Sequence, residues 1–521
     1  MYAMKWFAAA AFFAAALGGA AAESDAQTPA PAAAATPAGT PAAPATAPPD
    51  AVTQQQISLG GKTYPYTARA GTIVLQDDKG APACRMFYTA YTLDGADPAA
   101  RPVTFFYNGG PGSSTVWLRM GSFGPVRVVV GNAAPTDNAP YSLVPNQYSL
   151  LDKSDLVFVD APGTGFGRIL SESKPDQFFG VDPDKRAFAQ FVSRYITAFG
   201  RWNSPKFLFG ESYGTPRSAL LANELQDQGI GVNGVILLSS ILDFGLDWDT
   251  NFTPTAIGGG DWAYPLYLPT EAAAAWYHDQ LPGGRHGLTL PDFLSRVERF
   301  AMTDYLNALA QGSKLSPRAF EAIVAQIHAY TGISEKYIRE SNIRVPYWRY
   351  MTELKRNQGI SIGRYDARYT SFTLDPISDR TDFDATDAAI DSAYVGSANA
   401  YMRQTLGYHT DLEYKTEIDV FKHWDWKHNG AVPANTAQDL ARAMVYNPKL
   451  RVFAASGYYD LATPFFATVY TLNHLNVPPE IQKNVSYGFY ESGHMVYLNP
   501  DALAQFHDDL ERWYDQALAP H

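Results

Sequence analysis

The chain has 521 residues, 46% hydrophobic and 14% aromatic, more apolar material than one compact core usually holds. A well-filled globular protein of two domains, or of one elaborated domain, is expected. Against 40 basic residues stand 52 acidic ones, and the formal charge of −12 argues against nucleic acid and anionic membrane surfaces as partners. No glycine-rich phosphate loop and no CxxC or HExxH spacing occurs, so no nucleotide, metal or other cofactor is expected.

Lys5 precedes an apolar run over 6–17, and Ala20-Ala21-Ala22 offers small residues to a signal peptidase. Residues 1–22 are expected to be a secretory signal, too short for a stable membrane anchor, so that the protein is exported, periplasmic or secreted. Residues 23–50 are almost all Ala, Pro and Thr, a composition that buries no core and behaves as an extended linker. The one cysteine, Cys84, has no internal disulfide partner and is expected to be a small buried hydrophobe.

Residues 51–243 are expected to form the first part of a sheet domain, ordered from about Ile57. A run over 71–75, a turn at Asp77-Asp78-Lys79-Gly80 and a run over 86–93 predict a hairpin. A third strand, 103–107, runs into Asn108-Gly109-Gly110-Pro111-Gly112-Ser113-Ser114, whose glycines and proline leave backbone N–H groups free for an oxyanion hole. A fourth, 156–160, ends in Ala161-Pro162-Gly163-Thr164-Gly165-Phe166. A helical stretch over 185–199 leads to the apolar run 207–209 and then to Gly210-Glu211-Ser212-Tyr213-Gly214. With a helix over 218–225 after it, this is a G-x-S-x-G elbow, which lifts a serine hydroxyl clear of the backbone on a sharp strand-to-helix turn. Gly210 and Gly214 let strand and helix approach closely. A strand at 234–239 follows. Alternating strands and helices indicate an α/β fold with a mostly parallel sheet and ligands at the strands' carboxyl ends.

Over 244–394 the pattern turns helical, as at 270–280 and 290–311, and predicts a cap inserted into the sheet domain. The second part of the sheet domain, 395–521, has strands at 450–455 and 485–490 and an amphipathic helix at 500–518. The first of these strands leads to Ser456-Gly457-Tyr458-Tyr459-Asp460 and the second to Glu491-Ser492-Gly493-His494-Met495.

Ser212, Asp460 and His494 thus fall at strand ends in the chain order of the α/β-hydrolase fold. A serine hydroxyl needs a base to take its proton, histidine has a suitable pKa, and a carboxylate fixes the imidazole tautomer. Of the ten histidines, His494 alone sits in a glycine-rich strand-end loop after such an Asp; His286, the nearest competitor, falls in the expected cap.

The five segments Asn108 to Ser114, Asp160 to Phe166, Gly210 to Tyr213, Gly457 to Asp460 and Gly493-His494-Met495 resemble, in order, the blocks of the serine carboxypeptidase family. The resemblance spans 84–498 and suggests a bacterial-type member. It implies an α/β-hydrolase that removes single residues from the free carboxyl end of peptides through an acyl-enzyme. It also implies Ser212 as nucleophile, His494 as base, Asp460 as its orienter, and the Gly110 and Tyr213 N–H groups as oxyanion hole. Asn108, the Gly109 backbone, Glu211 and Met495 are implied in substrate binding. Three departures stand out: Ser113 replaces a cysteine, Gly214-Thr215 follows the elbow where Ala-Gly is usual, and Ser122 stands where a second acid commonly pairs with the elbow glutamate. Arg217 is a substitute candidate for carboxylate binding, or else a solvated or ion-paired helix residue. An esterase or acyltransferase with the same triad, and a non-catalytic binding protein, are the other readings.

Overall fold

In the computed structural model, residues 48–170, 174–246 and 260–519 are described. The expected signal and nearly all of the expected linker lie outside them.

Among the described residues a ten-stranded sheet forms the centre. Its long strands are β1 (Ala51–Leu59), β2 (Lys62–Gln76), β3 (Pro82–Leu93), β4 (Val103–Tyr107), β5 (Asp155–Val159), β6 (Lys206–Glu211), β7 (Gly234–Leu238), β8 (Arg451–Gly457) and β9 (Val485–Tyr490). They lie side by side as β1-β2-β3-β5-β4-β6-β7-β8-β9, with Arg168–Ile169 pairing onto β3. From β5 to β9 every neighbouring pair is parallel, whereas β1, β2 and β3 form an antiparallel flank. This is the α/β-hydrolase fold.

The parallel strands β4 to β7 are buried from end to end, because helices cover both faces and successive side chains point to opposite sides. Phe105 and Tyr107 pack with helices α1 (Val181–Ala198), α2 (Gly214–Asp227) and, later in the chain, Ala437–Tyr446. Phe106 points the other way, into a core shared with Ala389, Ile390, Phe506 and Leu510. From β4 the chain steps to β5 on one side, and from β6 to β7 on the other. Ser212, just beyond β6, therefore sits where the winding reverses, the crevice in which such sheets bind ligands.

Two expectations change. The ordered fold begins ahead of Ile57, with β1. Its 51–56 segment reads as polar because it is a flank strand held by backbone pairing to β2 and by side-chain bonds such as Tyr66 to Gln55 (2.8 Å). The helical stretch after β7 also divides. Helices α3 (Ala263–Tyr277), α4 (Leu290–Phe300) and α5 (Pro317–Thr331) share a core of their own, which reaches Tyr459, Leu461 and Phe465 beyond the carboxyl end of β8. Helix α6 (Ala385–Ala400), of which residues 385–394 fall within the expected cap, packs into the core on the sheet face. Its apolar positions Ala385, Ala389, Ile390 and Ala393 recur at helical spacing, so one stripe seats it on the sheet. Between them a short hairpin, Ile360–Ile362 with Thr370–Phe372, interrupts the helices.

Candidate active site

The turn after β6 is a strained elbow. Ser212 adopts φ +59°, a left-handed conformation that costs a non-glycine residue about 1–3 kcal/mol and persists only where its surroundings impose it. Here Ser212 N–H donates to Leu238 O on β7 (3.0 Å), and Thr215 N–H donates to Ser212 O (2.8 Å). Gly210 is needed for space: a Cβ there would lie 2.0 Å from the Gly214 carbonyl oxygen.

The two loops beyond β8 and β9 bring Asp460 and His494 together. His494 Nδ1 is 2.8 Å from Asp460 Oδ2, with both side chains buried. Asp460 accepts further bonds from the N–H groups of Ala462 (2.8 Å) and Thr463 (2.9 Å) and from the Thr463 hydroxyl (2.6 Å), so its orientation is fixed from three directions. Burial disfavours a charged imidazole, but the Asp460 charge and hydrogen bond outweigh it and hold the His494 pKa above its ordinary value. His494 and Ser212 line the same cavity, of about 200 Å³. A base with one nitrogen anchored on a carboxylate, sharing a cavity with a serine on an elbow, is the arrangement that can activate that serine.

On the β4 side, Gly109 approaches the elbow so closely that a Cβ on it would lie 2.2 Å from the Tyr213 nitrogen. Gly110 has φ +99°, and no backbone carbonyl among the described residues takes the N–H of Gly110 or Tyr213. Tyr213 stands at the start of α2, where helical N–H groups have no intrahelical partner. Two free donors therefore border the serine.

Asn108 Oδ1 accepts from Leu118 N–H (3.1 Å), which leaves its amide to face the Glu211 carboxyl. Glu211 is fully enclosed. Burial pushes its pKa up to about 7, against the opposing pull of His494 and of hydrogen bonds from Tyr497 and Asn108. The Tyr497 hydroxyl donates to Oε2 (3.0 Å) and Oε1 (3.2 Å). Ser122, where the family's second acid is commonly found, spends its hydroxyl on Leu118 O (2.6 Å).

Arg217 is not solvated and does not line the cavity. It is wholly buried, paired through Nε (2.6 Å) and Nη2 (3.2 Å) with Asp184 of α1, and its Nη1 donates to Asn108 O (2.6 Å). It holds the glycine loop from behind, which removes it as a carboxylate ligand. His286 is exposed and away from the cavity, and Met495 lines it.

The cavity's roof comes from places the sequence pattern does not single out. Arg364, Tyr365 and Asp387 line it, and so do Glu417, Phe421 and Trp426 from residues assigned to the second part of the sheet domain. Ser114 N–H to Thr416 O (2.8 Å) and Ile418 N–H to Gly112 O (2.9 Å) lace this second segment onto the glycine loop. Helices α3, α4 and α5 contribute no lining residue. Of the residues missed, Thr463, three positions after Asp460, had a local signal; Tyr497 and the roof did not. A larger open hollow of about 590 Å³, lined by Trp202, Lys206, Asn233 and Lys449, lies at the strands' opposite ends and holds none of these groups.

Residues 65–247 match the serine carboxypeptidase family model. Among curated relatives, a P-(S)-hydroxymandelonitrile lyase of Sorghum bicolor is 29% identical over 146 residues, 27% of this chain and 26% of that protein. A serine carboxypeptidase of Caenorhabditis elegans, ctsa-3.2, is 25% identical over 264 residues, 46% of this chain and 45% of its own. The chain thus spans between about a quarter and a half of the length of these relatives. Among solved structures, Kex1(Δ)p, a prohormone-processing carboxypeptidase of Saccharomyces cerevisiae, superposes with a TM-score of 0.53 at 15% identity, covering 87% of this chain and 92% of that one. In sequence over residues 65–247 and in its α/β-hydrolase fold, the chain is therefore similar to the serine carboxypeptidases.

Proposed function

We propose that the protein is an exported serine carboxypeptidase, of a bacterial type, that acts on peptides with a free carboxyl end. The observation that carries this is the enclosed Glu211, with a pKa near 7, directly before the candidate nucleophile Ser212 in one cavity with His494. A carboxypeptidase must meet a substrate carboxylate beside its serine, and a protonated carboxyl group there can donate a hydrogen bond to it.

In this reading His494 takes the Ser212 proton through its Nε2 as the serine oxygen attacks the last peptide carbonyl. The oxyanion forms against the Gly110 and Tyr213 N–H groups. His494 then passes the proton to the departing amine, and a water, activated by the same imidazole, hydrolyses the acyl-enzyme. The substrate's terminal carboxylate is received by the Asn108 amide, the Gly109 backbone and Glu211. Two ionised carboxylates repel strongly in a partly desolvated site, so Glu211 serves this role when it is protonated and donates. The Tyr497 hydroxyl, which is not among the cavity's lining groups, holds the Glu211 carboxyl from behind.

The loss of the family's second acid at Ser122 favours a second reading, an esterase or acyltransferase with the same triad. One experiment separates them. The enzyme is incubated with a peptide and its carboxyl-terminal amide, and the products are weighed by mass spectrometry. Single-residue loss from the acid, far slower from the amide, is expected. Hydrolysis of a simple ester with neither peptide touched would contradict the peptidase reading.

A further inference from the structure

The hairpin Ile360–Ile362/Thr370–Phe372 points its tip between the two loops that carry Asp460 and His494, and it bonds to both. On the acid side, Leu461 N–H donates to Arg364 O (2.9 Å) and Ala367 N–H donates to Tyr459 O (2.9 Å), so the residues on either side of Asp460 are both held. On the base side, His494 N–H donates to Tyr365 O (2.6 Å) and Gly493 N–H to Asp366 Oδ2 (3.1 Å). A Cβ on Gly493 would lie 2.4 Å from both Tyr365 O and Asp366 Cβ, so the approach depends on glycine. Asp366 is completely buried and anchors the tip. It accepts from Arg368 N–H and from the Arg368 guanidinium (2.6 Å from Nη2 to Oδ2), which also reaches the Ser492 hydroxyl (3.2 Å).

We propose that this tip is a clamp that sets the mutual position of Asp460 and His494, with Asp366 as its positioning residue. Asp366 does not line the cavity and so touches no substrate. Its effect would pass through the backbone of Gly493. A misplacement of about 1 Å in such a constellation costs on the order of 100-fold in rate. The inference rests on the triad reading alone and holds for a peptidase or an esterase.

The test is the rate at which Asp366→Ala and Asp366→Asn react with a fluorophosphonate, measured from acid to neutral pH, beside their melting temperatures. The Asn variant keeps the shape and one acceptor, so it decides the matter if the Ala variant does not fold. A labelling rate lower by roughly 10 to 100-fold is expected for Ala, and a smaller loss for Asn. The groups facing His494 are Asp460, Glu211, Arg364 and the Tyr365 ring (centroids 5.2 Å apart). Of these, Asp460 does most to raise its pKa, so loosening that pair should also move the acid limb of the profile to lower pH. Folded variants with lower melting temperatures but the wild-type rate and acid limb would make Asp366 merely structural and overturn the proposal. A wild-type chain that takes no label would remove the triad reading and the clamp with it.

Discussion

Among the described residues two buried histidines sit against aspartates, and only one of them shares a cavity with Ser212. His494 has one carboxylate, Asp460, on Nδ1, and shares a cavity with Ser212. His428 has a carboxylate on each nitrogen: Asp182 at 2.9 Å from Nδ1 and Asp439 at 2.9 Å from Nε2. The hydrogen bonds to Asp182 and Asp439 push its pKa up to about 9, so below that pH both nitrogens are committed as donors and neither can accept a proton. His428 is a cationic pin. It ties the loop that carries Trp426 to α1 and to the helix Ala437–Tyr446. The difference lies in how many of the two ring nitrogens the protein occupies, and not in the presence of an Asp–His pair.

The sharpest way to break that contrast is to remove the proposed nucleophile and base. Ser212→Ala or His494→Ala is expected to lower kcat by about 10⁴ to 10⁶ with the fold retained, by steady-state assay and circular dichroism. More than a few per cent of residual activity in either would end the triad assignment. Asp460→Asn leaves the shape but lets Nδ1 lose its acceptor, and a loss on the order of 10⁴ or somewhat less is expected.

A smaller effect is expected from pH. In the proposed reading Glu211, whose pKa burial pushes up to about 7, donates to the substrate carboxylate when protonated; above that pH it would be an anion facing an anion. KM for a peptide acid should therefore rise as pH climbs through about 7, while KM for its amide changes little. Glu211→Gln keeps a donor at every pH, so its profile should be flat. Tyr497→Phe deletes a bond that stabilises ionised Glu211, so the rise should move to higher pH. A wild-type profile unchanged in Glu211→Gln would remove Glu211 from carboxylate recognition.

His428→Gln is expected to have the smallest effect on rate, within about twofold, because His428 does not line the cavity and reaches it only through the loop that carries Trp426. Its effect is on stability. The folded pKa of His428 lies above the ordinary value of about 6.5, so its contribution is fully present below pH 6.5 and is lost as pH rises through about 9. The wild-type melting temperature should fall across that window, and the variant should lack that part of the fall. A His428→Gln profile parallel to the wild type would mean that the pin carries no linked proton.

What could be read from the amino-acid chain follows the range of the interactions. The elbow, the strands β4 to β9 and the spacing of Ser212, Asp460 and His494 are local patterns: short apolar runs, of which those leading to Asn108, Ser212, Asp460 and His494 end in glycine-bearing turns. The clamp was not readable, because Asp366 is remote in the chain from both Asp460 and Gly493 and only the folded hairpin tip brings it to them. Tyr497 looks like one more aromatic after the His loop, and its role depends on β6 lying alongside. Arg217 stands on the elbow's own helix, but its partner Asp184 comes from α1 and turns it away from the cavity. The expected boundary at 394 falls inside helix α6, because an alanine-rich stripe does not say which core it faces.

The most direct measurement is the position of a covalent adduct. Wild type, His494→Gln and His428→Gln are treated with a fluorophosphonate, digested, and the modified peptide sequenced by mass spectrometry. The label should sit on Ser212 in the wild type, be nearly absent in His494→Gln, and be undiminished in His428→Gln. A label on another residue, or one that survives the loss of His494 but not of His428, would contradict the assignment of nucleophile and base.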